Sequence, residues 1–270
     1  MTRFVVVPQW QGSPAARAML LVDGADAIAG DLPRTATTRV EVPAEAGESL
    51  ETGIRRFSAL TRVADALTAV LATDDEPALV IGGDCGVAVP AIAHAAAAHP
   101  TLAVVWFDAH GDLHTPETSP SGAFGGMALR ATWAATPVPG SGALALDRAV
   151  LVGARDLDVA EAAYLATSGL HTIDVDAAAD PAALVEAVAA TGAEAIYIHV
   201  DLDVLDPAVL TAVALPTPFG LTLEQLTAAI AAARARLPLV GSSISGFVPA
   251  SPAAAADDLG TILRIVGALA

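Results

Sequence analysis

Leu102-Ala103-Val104-Val105-Trp106-Phe107 runs directly into Asp108-Ala109-His110-Gly111-Asp112. An apolar run with no polar interruption fits a strand covered on both faces, as in a parallel sheet. The switch to ionisable side chains at alternate positions marks its carboxyl end, where ligands gather in open parallel sheets. Two other runs end in the same way. Residues 78–81 lead into Gly82-Gly83-Asp84-Cys85-Gly86, and residues 195–200 lead into Asp201-Leu202-Asp203, with Asp206-Pro207 just beyond. Further apolar runs lie at residues 3–7, 149–152, 170–175 and 239–244, with a weaker one at 39–42.

Helical patterns fill the intervals. Residues 50–71 carry Ile54, Phe57, Leu60, Val63, Leu67 and Val70 as one apolar stripe, which predicts an amphipathic helix. Other helices are expected to start near Val87, Ala123, Val159, Pro181, Leu223 and Pro252. Strands alternating with helices predict an α/β fold, with three α/β/α layers around a mostly parallel sheet of about eight strands. No charged or Ser/Gly-rich linker divides the 270 residues, so a single domain spanning 1–270 is expected.

Hydrophobic residues make up 54% of the chain, enough for a large core without cross-links. The single cysteine, Cys85, excludes an internal disulfide and suits a reducing compartment. A net charge of −17, from 13 basic and 30 acidic residues, disfavours nucleic acid and anionic membranes as partners. The opening MTRFVVVPQW lacks a signal-peptide apolar core, and no window offers the roughly 18 apolar residues of a spanning helix. A cytoplasmic protein acting on a small molecule is expected.

In extended chain, residues two apart point to the same side. Asp108, His110 and Asp112 can therefore converge, and so can Asp201 and Asp203. Four carboxylates and an imidazole at buried strand ends repel and desolvate one another unless a cation joins them. Oxygen-rich ligation with one imidazole favours Mn²⁺, as one ion or two, with Zn²⁺, Fe²⁺ or Ni²⁺ as alternatives. Asp206, beside Pro207, reads as a turn residue. His94, His99 and His171 read as surface or packing residues, and Trp10, Trp106 and Trp133 as core or pocket wall. Gly82-Gly83 is a poor phosphate-loop signal, because no Gly-Lys-Ser follows it.

Trp106-Phe107-Asp108-Ala109-His110-Gly111-Asp112 and His199-Val200-Asp201-Leu202-Asp203-Val204-Leu205-Asp206-Pro207 resemble two signatures of the ureohydrolases, the arginase and agmatinase family. Residues 115–122 resemble the arginase substrate loop, and Gly153-Ala154-Arg155-Asp156-Leu157-Asp158 with Glu161 a further family segment. The resemblance implies two Mn²⁺ ions with a bridging hydroxide that attacks a guanidinium carbon. It assigns Asp108 and Asp201 as bridging ligands, His110 and Asp203 to one ion, and Asp112 to the other. It places Ser119 and Ser121 at a substrate carboxylate, and Asp158 and Glu161 at a substrate amino group. Turn formation and helix capping are the competing readings for those four. Trimers or hexamers are a further expectation from the family.

Three departures bear on function. The family's histidine after Gly-Gly-Asp is Cys85, either a thiolate ligand favouring Zn²⁺ or a buried thiol that ligates nothing. The family's proton-shuttling histidine is Gly125. His114 is a candidate substitute, with a solvated loop histidine as its other reading. The family's guanidinium-gripping glutamate falls at Gly246, inside a segment, residues 238–256, without a charged side chain. A hydrolase acting on a C–N bond of a guanidino or amidine compound is the first expectation. A non-catalytic arginase-like binding or structural protein is the second.

Overall fold

The computed structural model describes residues 2–270. Its strands are β1 (Arg3–Val7), β2 (Thr37–Arg39), β3 (Ala78–Gly82), β4 (Leu102–Phe107), β5 (Ala149–Val152), β6 (His171–Ile173), β7 (Ala195–Asp201) and β8 (Leu239–Ser245). They form one sheet in the order β2-β1-β3-β8-β7-β4-β5-β6, and every neighbouring pair is parallel. The α/β reading from sequence holds.

The helices are α1 (Leu20–Gly30), α2 (Phe57–Leu71), α3 (Ala88–Ala98), α4 (Ala128–Ala131), α5 (Val159–Ser168), α6 (Val175–Ala178), α7 (Pro181–Ala190), α8 (Leu223–Arg236) and α9 (Ala255–Leu269). Strand alternation sorts them into two layers. Val6, Ile81, Val105, Ile198 and Val200 pack with residues of α1, α7, α8 and α9, whereas Val5, Val80, Val104, Trp106 and Tyr197 pack with α2, α3 and α4. Both sheet faces are thereby covered, which is why these strands read as unbroken apolar runs.

Local chemistry sets several boundaries. Asp158 and Glu161 form a reciprocal capping box at the start of α5, as do Thr222 and Gln225 at α8. Asp180 caps α7, with Pro181 in its first turn.

Elsewhere the structure departs from the sequence pattern. The helix expected from residue 50 begins at Phe57, because Leu50, Glu51, Gly53 and Arg56 have positive φ angles that a right-handed helix excludes. Ile54 is nevertheless fully buried, so the stripe marks burial correctly in a segment that is not helical. The edge strand lies at 37–39 rather than 39–42, and only 171–173 of the run 170–175 is strand, since Val175 opens α6. The helix expected near Ala123 is confined to α4. Helix α1 is an addition. Its buried side is Leu21, Gly24, Ala25 and Ile28, and Asp23 and Asp26 lie on either side of Gly24 and Ala25.

Candidate metal centre

The central strands β3, β8, β7 and β4 bring their carboxyl ends together around a cavity of about 210 Å³. Asp108, His110, Asp112, Asp201 and Asp203 line it, the group that alternate spacing brings together, and so does Cys85, which the family resemblance singles out. Asp112 arrives by a different route from simple strand alternation: its backbone is left-handed, with φ 51°. Arg130 N donates to its carbonyl (3.0 Å), which ties that turn to α4.

Three of the carboxylates, Asp108, Asp201 and Asp203, are held by specific donors. Asp108 accepts from His110 N (2.7 Å) and from Trp106 Nε1 (3.1 Å). Asp203 accepts from Ala109 N (3.1 Å), and Asp201 from Asp203 N (3.0 Å). Cys85 Sγ donates to Asp201 Oδ2 (2.8 Å), and Ser245 Oγ donates to the same oxygen (3.2 Å). His110 Nδ1 lies 3.3 Å from Asp108 Oδ1 and 3.1 Å from Asp203 Oδ2.

Burial dominates the electrostatics. It pushes Asp201 and Asp203 up to about 6, with Asp203 adding to the effect on Asp201 and Asp108 to that on Asp203. Burial, then the neighbouring Asp108, pushes Asp112 well above the carboxylate range. Burial and then Asp201 raise the Cys85 thiol. Burial disfavours a charged His110, but its hydrogen bonds with Asp108 and Asp203 outweigh this and carry it up to about 12. The imidazolium thus occupies the electrostatic position a cation would take between two carboxylates.

The donor set fits a hard or borderline divalent ion. Asp112 Oδ2 and His110 Nε2 are buried without a hydrogen-bond partner among the described residues. Orphaned polar atoms of this kind are costly and call for a partner. One oxygen or nitrogen from each of Asp108, His110 and Asp203 falls within 4.8 Å of the others, close enough to share an ion.

Asp84, which follows Gly82-Gly83, serves the scaffold. It accepts from Gln9 Nε2 (2.9 Å), Gly12 N (2.9 Å) and Gly86 N (3.0 Å), and burial, partly offset by these bonds, raises it to about 6. Asp206 accepts from Ala208 N and Gly220 N, as a turn residue does.

The other wall of the cavity comes from the loop after Asp112. His114 lines it, with Nε2 3.1 Å from Asp158 Oδ2 and Nδ1 3.2 Å from Thr118 Oγ1. Ser121 also lines it, while its Oγ accepts from Ala123 N (3.1 Å). Ser119 Oγ accepts from Gly122 N (3.0 Å) within the same turn. Glu161 is buried and reaches the cavity, yet Oε1 accepts from Leu113 N (3.1 Å) and Oε2 from Asp158 N (3.3 Å). The capping and turn geometries are therefore present for all four residues, alongside access to the cavity for Ser121 and Glu161.

Gly125 and Gly246 line the cavity as bare backbone. A β-carbon at Gly125 would lie 3.0 Å from Gly12 O, a tight contact. At Gly246, with φ +90°, it would collide with Asp201 Oδ1, so no side chain fits the turn as it stands.

Three neighbours are given no role by the sequence reading. Arg155 donates to the backbone carbonyls of Asp203 (3.0 Å), Thr217 (2.7 Å) and Pro218 (2.9 Å), fastening the chain after β5 to the chain after β7. His199 and Ser245 lie in β7 and β8, buried beside Asp201. Inside long strands neither stands out as a site residue, although His199 opens one of the quoted signatures.

The chain belongs to the arginase family, whose model matches residues 25–259. It is 33% identical over 203 residues to an arginase of Bacillus caldovelox, covering 68% of each chain. It is 37% identical over 178 residues to arginase-1 of Xenopus laevis, covering 60% of this chain but 56% of that one. The solved Entamoeba histolytica arginase in complex with L-ornithine superposes with a TM-score of 0.84, covering 99% of this chain and 97% of that one, at 21% identity. Among the described residues, no helix is long and apolar enough to cross a membrane.

Proposed function

We propose that this arginase-family chain is a metal-dependent hydrolase that cleaves a C–N bond of a small guanidino or amidine compound through a divergent site. The observation that carries this reading is the convergence of Asp108, His110, Asp112, Asp201 and Asp203 on one cavity, with an orphaned carboxylate oxygen on Asp112. Asp108, His110, Asp201 and Asp203 hold the principal ion, with Mn²⁺ favoured by their chemistry. Asp112 belongs to a second position, beside Cys85. A bound divalent ion supplies Lewis-acid polarisation and lowers the pKa of water.

The chain's own groups do the rest. His114, oriented by Asp158 at Nε2, hands a proton to the leaving amine from Nδ1, the amine replacing Thr118 Oγ1 as the partner of that nitrogen. Ser119, Ser121, Asp158 and Glu161 are the substrate-side contacts. Gly246 offers no carboxylate to a guanidinium, and paired hydrogen bonds to a carboxylate are what a guanidinium uses best. The substrate is therefore distinct from the ordinary guanidino amino acids, or is gripped at its far end.

The test is elemental analysis of protein purified without added metal, repeated on Asp108→Ala, with a screen of guanidino and amidine compounds. Stoichiometric metal that Asp108→Ala abolishes, together with metal-dependent turnover, is the expected result. Protein that stays metal-free after reconstitution sinks the hydrolase reading.

A second reading is favoured by Gly125 and Gly246, where the shuttle and the guanidinium grip are both missing. It is a non-catalytic arginase-like protein in which an ion serves structure. Stoichiometric metal without turnover of any screened compound would favour it.

A further inference from the structure

His199 is a fully buried imidazole beside the centre, and the proposed reaction gives it no task. It lies two residues before Asp201 on β7, so both side chains leave the same face of the sheet. Trp106 covers its ring, with centroids 3.8 Å apart. Nδ1 sits 2.7 Å from Ser243 Oγ, and Nε2 sits 3.4 Å from Ser245 Oγ. Ser245 Oγ in turn lies 3.4 Å from Cys85 Sγ and donates to Asp201 Oδ2. One ring nitrogen of His199, the sulfur of Cys85 and one oxygen of Asp108 all fall within 4.8 Å of one another.

We propose that His199 is a metal ligand and that, with Cys85 and Asp108, it forms a mixed nitrogen–sulfur–oxygen site selective for a Zn²⁺-like cation. The proposal rests on reading the cavity as a metal centre and specifies its second position. Ligand bonds of about 2.0–2.3 Å place donor atoms up to roughly 4 Å apart, so small side-chain adjustments close this set on an ion. An Nδ1–H donated to Ser243 fixes the tautomer that leaves the lone pair on Nε2, the nitrogen facing Ser245. A hydrogen bond from the non-ligating nitrogen is the usual support for a metal-bound histidine. Asp112 supplies an observation independent of the cysteine: it is 6% exposed, lines the same cavity and carries a buried oxygen without a partner. A thiolate with an imidazole moves preference from Mn²⁺ towards Zn²⁺. The residue at position 85 thus keeps its place in the centre with altered selectivity, and the imidazole comes from the neighbouring strand.

The full-length chain, stripped of metal, is titrated with Co²⁺ as the spectroscopic stand-in for Zn²⁺. The expected result is a thiolate-to-cobalt charge-transfer band, absent in Cys85→Ser, with two strongly shifted imidazole N–H resonances from His110 and His199. In competition, His199→Asn should weaken Zn²⁺ binding by more than the roughly 10–100-fold that an outer-shell partner is worth, and Mn²⁺ binding much less. Cobalt bound with no thiolate band, or with a single shifted imidazole, overturns the proposal while leaving a metal centre in place. Protein that takes up neither Co²⁺ nor Mn²⁺ overturns both. The cobalt spectra of the unaltered chain need no variant, so any loss of folding when the Trp106 stack is disturbed does not cloud the answer.

Discussion

The two walls of the cavity are built differently. On the sheet side, Asp108, Asp201 and Cys85 stand at or just past the ends of buried parallel strands, and backbone N–H groups fix the aspartates. On the loop side, Gly125 presents backbone where the family resemblance calls for a histidine, and Gly246, the residue just past β8, does so where it calls for a glutamate. The sheet ends bring the clustered carboxylates to the cavity, while Gly125 and Gly246 bring no side chain to it. Chemistry anchored on the sheet is fixed by the core around it, whereas a loop can exchange a side chain without repacking the domain.

The largest effect expected on the loop side is at His114. If this histidine has taken over proton transfer, His114→Ala lowers kcat by about 10²–10⁴-fold with metal content unchanged. Steady-state kinetics on any substrate found in the screen, paired with elemental analysis, checks this. An unaltered kcat would leave the loop wall without acid–base chemistry.

Gly246→Glu is the next test. Restoring the family residue should fail to create guanidine binding and should destabilise the fold by roughly 1–3 kcal/mol, because the turn is left-handed and Asp201 blocks the β-carbon. Calorimetry and guanidine titration measure the two parts. Tight guanidine binding with unchanged stability would mean that the two walls are easily reconciled.

A smaller effect concerns pH. Burial holds Asp201 and Asp203 near 6 in the metal-free fold, above the ordinary unfolded value of about 3.9. The folded state therefore binds extra protons between those values. That stabilisation is complete below about pH 4 and is lost as pH rises through about 6. These two carboxylates should lower the Tm of metal-free protein by roughly 10 °C between about pH 4.5 and 7, since 1 kcal/mol corresponds to about 2–4 °C at this size. Saturating metal should flatten the profile. A Tm that rises with pH in metal-free protein would show that burial does not hold these carboxylates above their ordinary range.

Much of the sheet was legible because a strand covered on both faces leaves an unbroken apolar run, as at Leu102–Phe107. Helix α1 was not, because two of its four buried positions are Gly24 and Ala25, which make no hydrophobic stripe. The start of α2 departs from the apolar stripe for the opposite reason: Ile54 is buried and in phase, but left-handed residues on either side of it prevent a helix. In the site, the aspartates were visible through alternate spacing next to a strand. His199 was not, since a histidine inside an apolar run looks like any strand residue until the register places it against Ser243. The obstruction at Gly246 is equally invisible in sequence, because it is a distance between backbone and a carboxylate from another strand.

Strand β8, residues 239–245, enters the sheet between β3 and β7 and carries Ser245 into contact with Cys85 and Asp201. Residues more than a hundred positions apart must therefore already be arranged when this strand docks, and contacts of such long range are slow to form. During synthesis the aspartates of β4 and β7 emerge well before their last neighbour. A nascent chain can gather the acidic cluster early, yet the enclosed pocket exists only once the late strand has slotted into the middle of the sheet. Occupancy by an ion of matched size would then mark chains that have finished folding from those that have not.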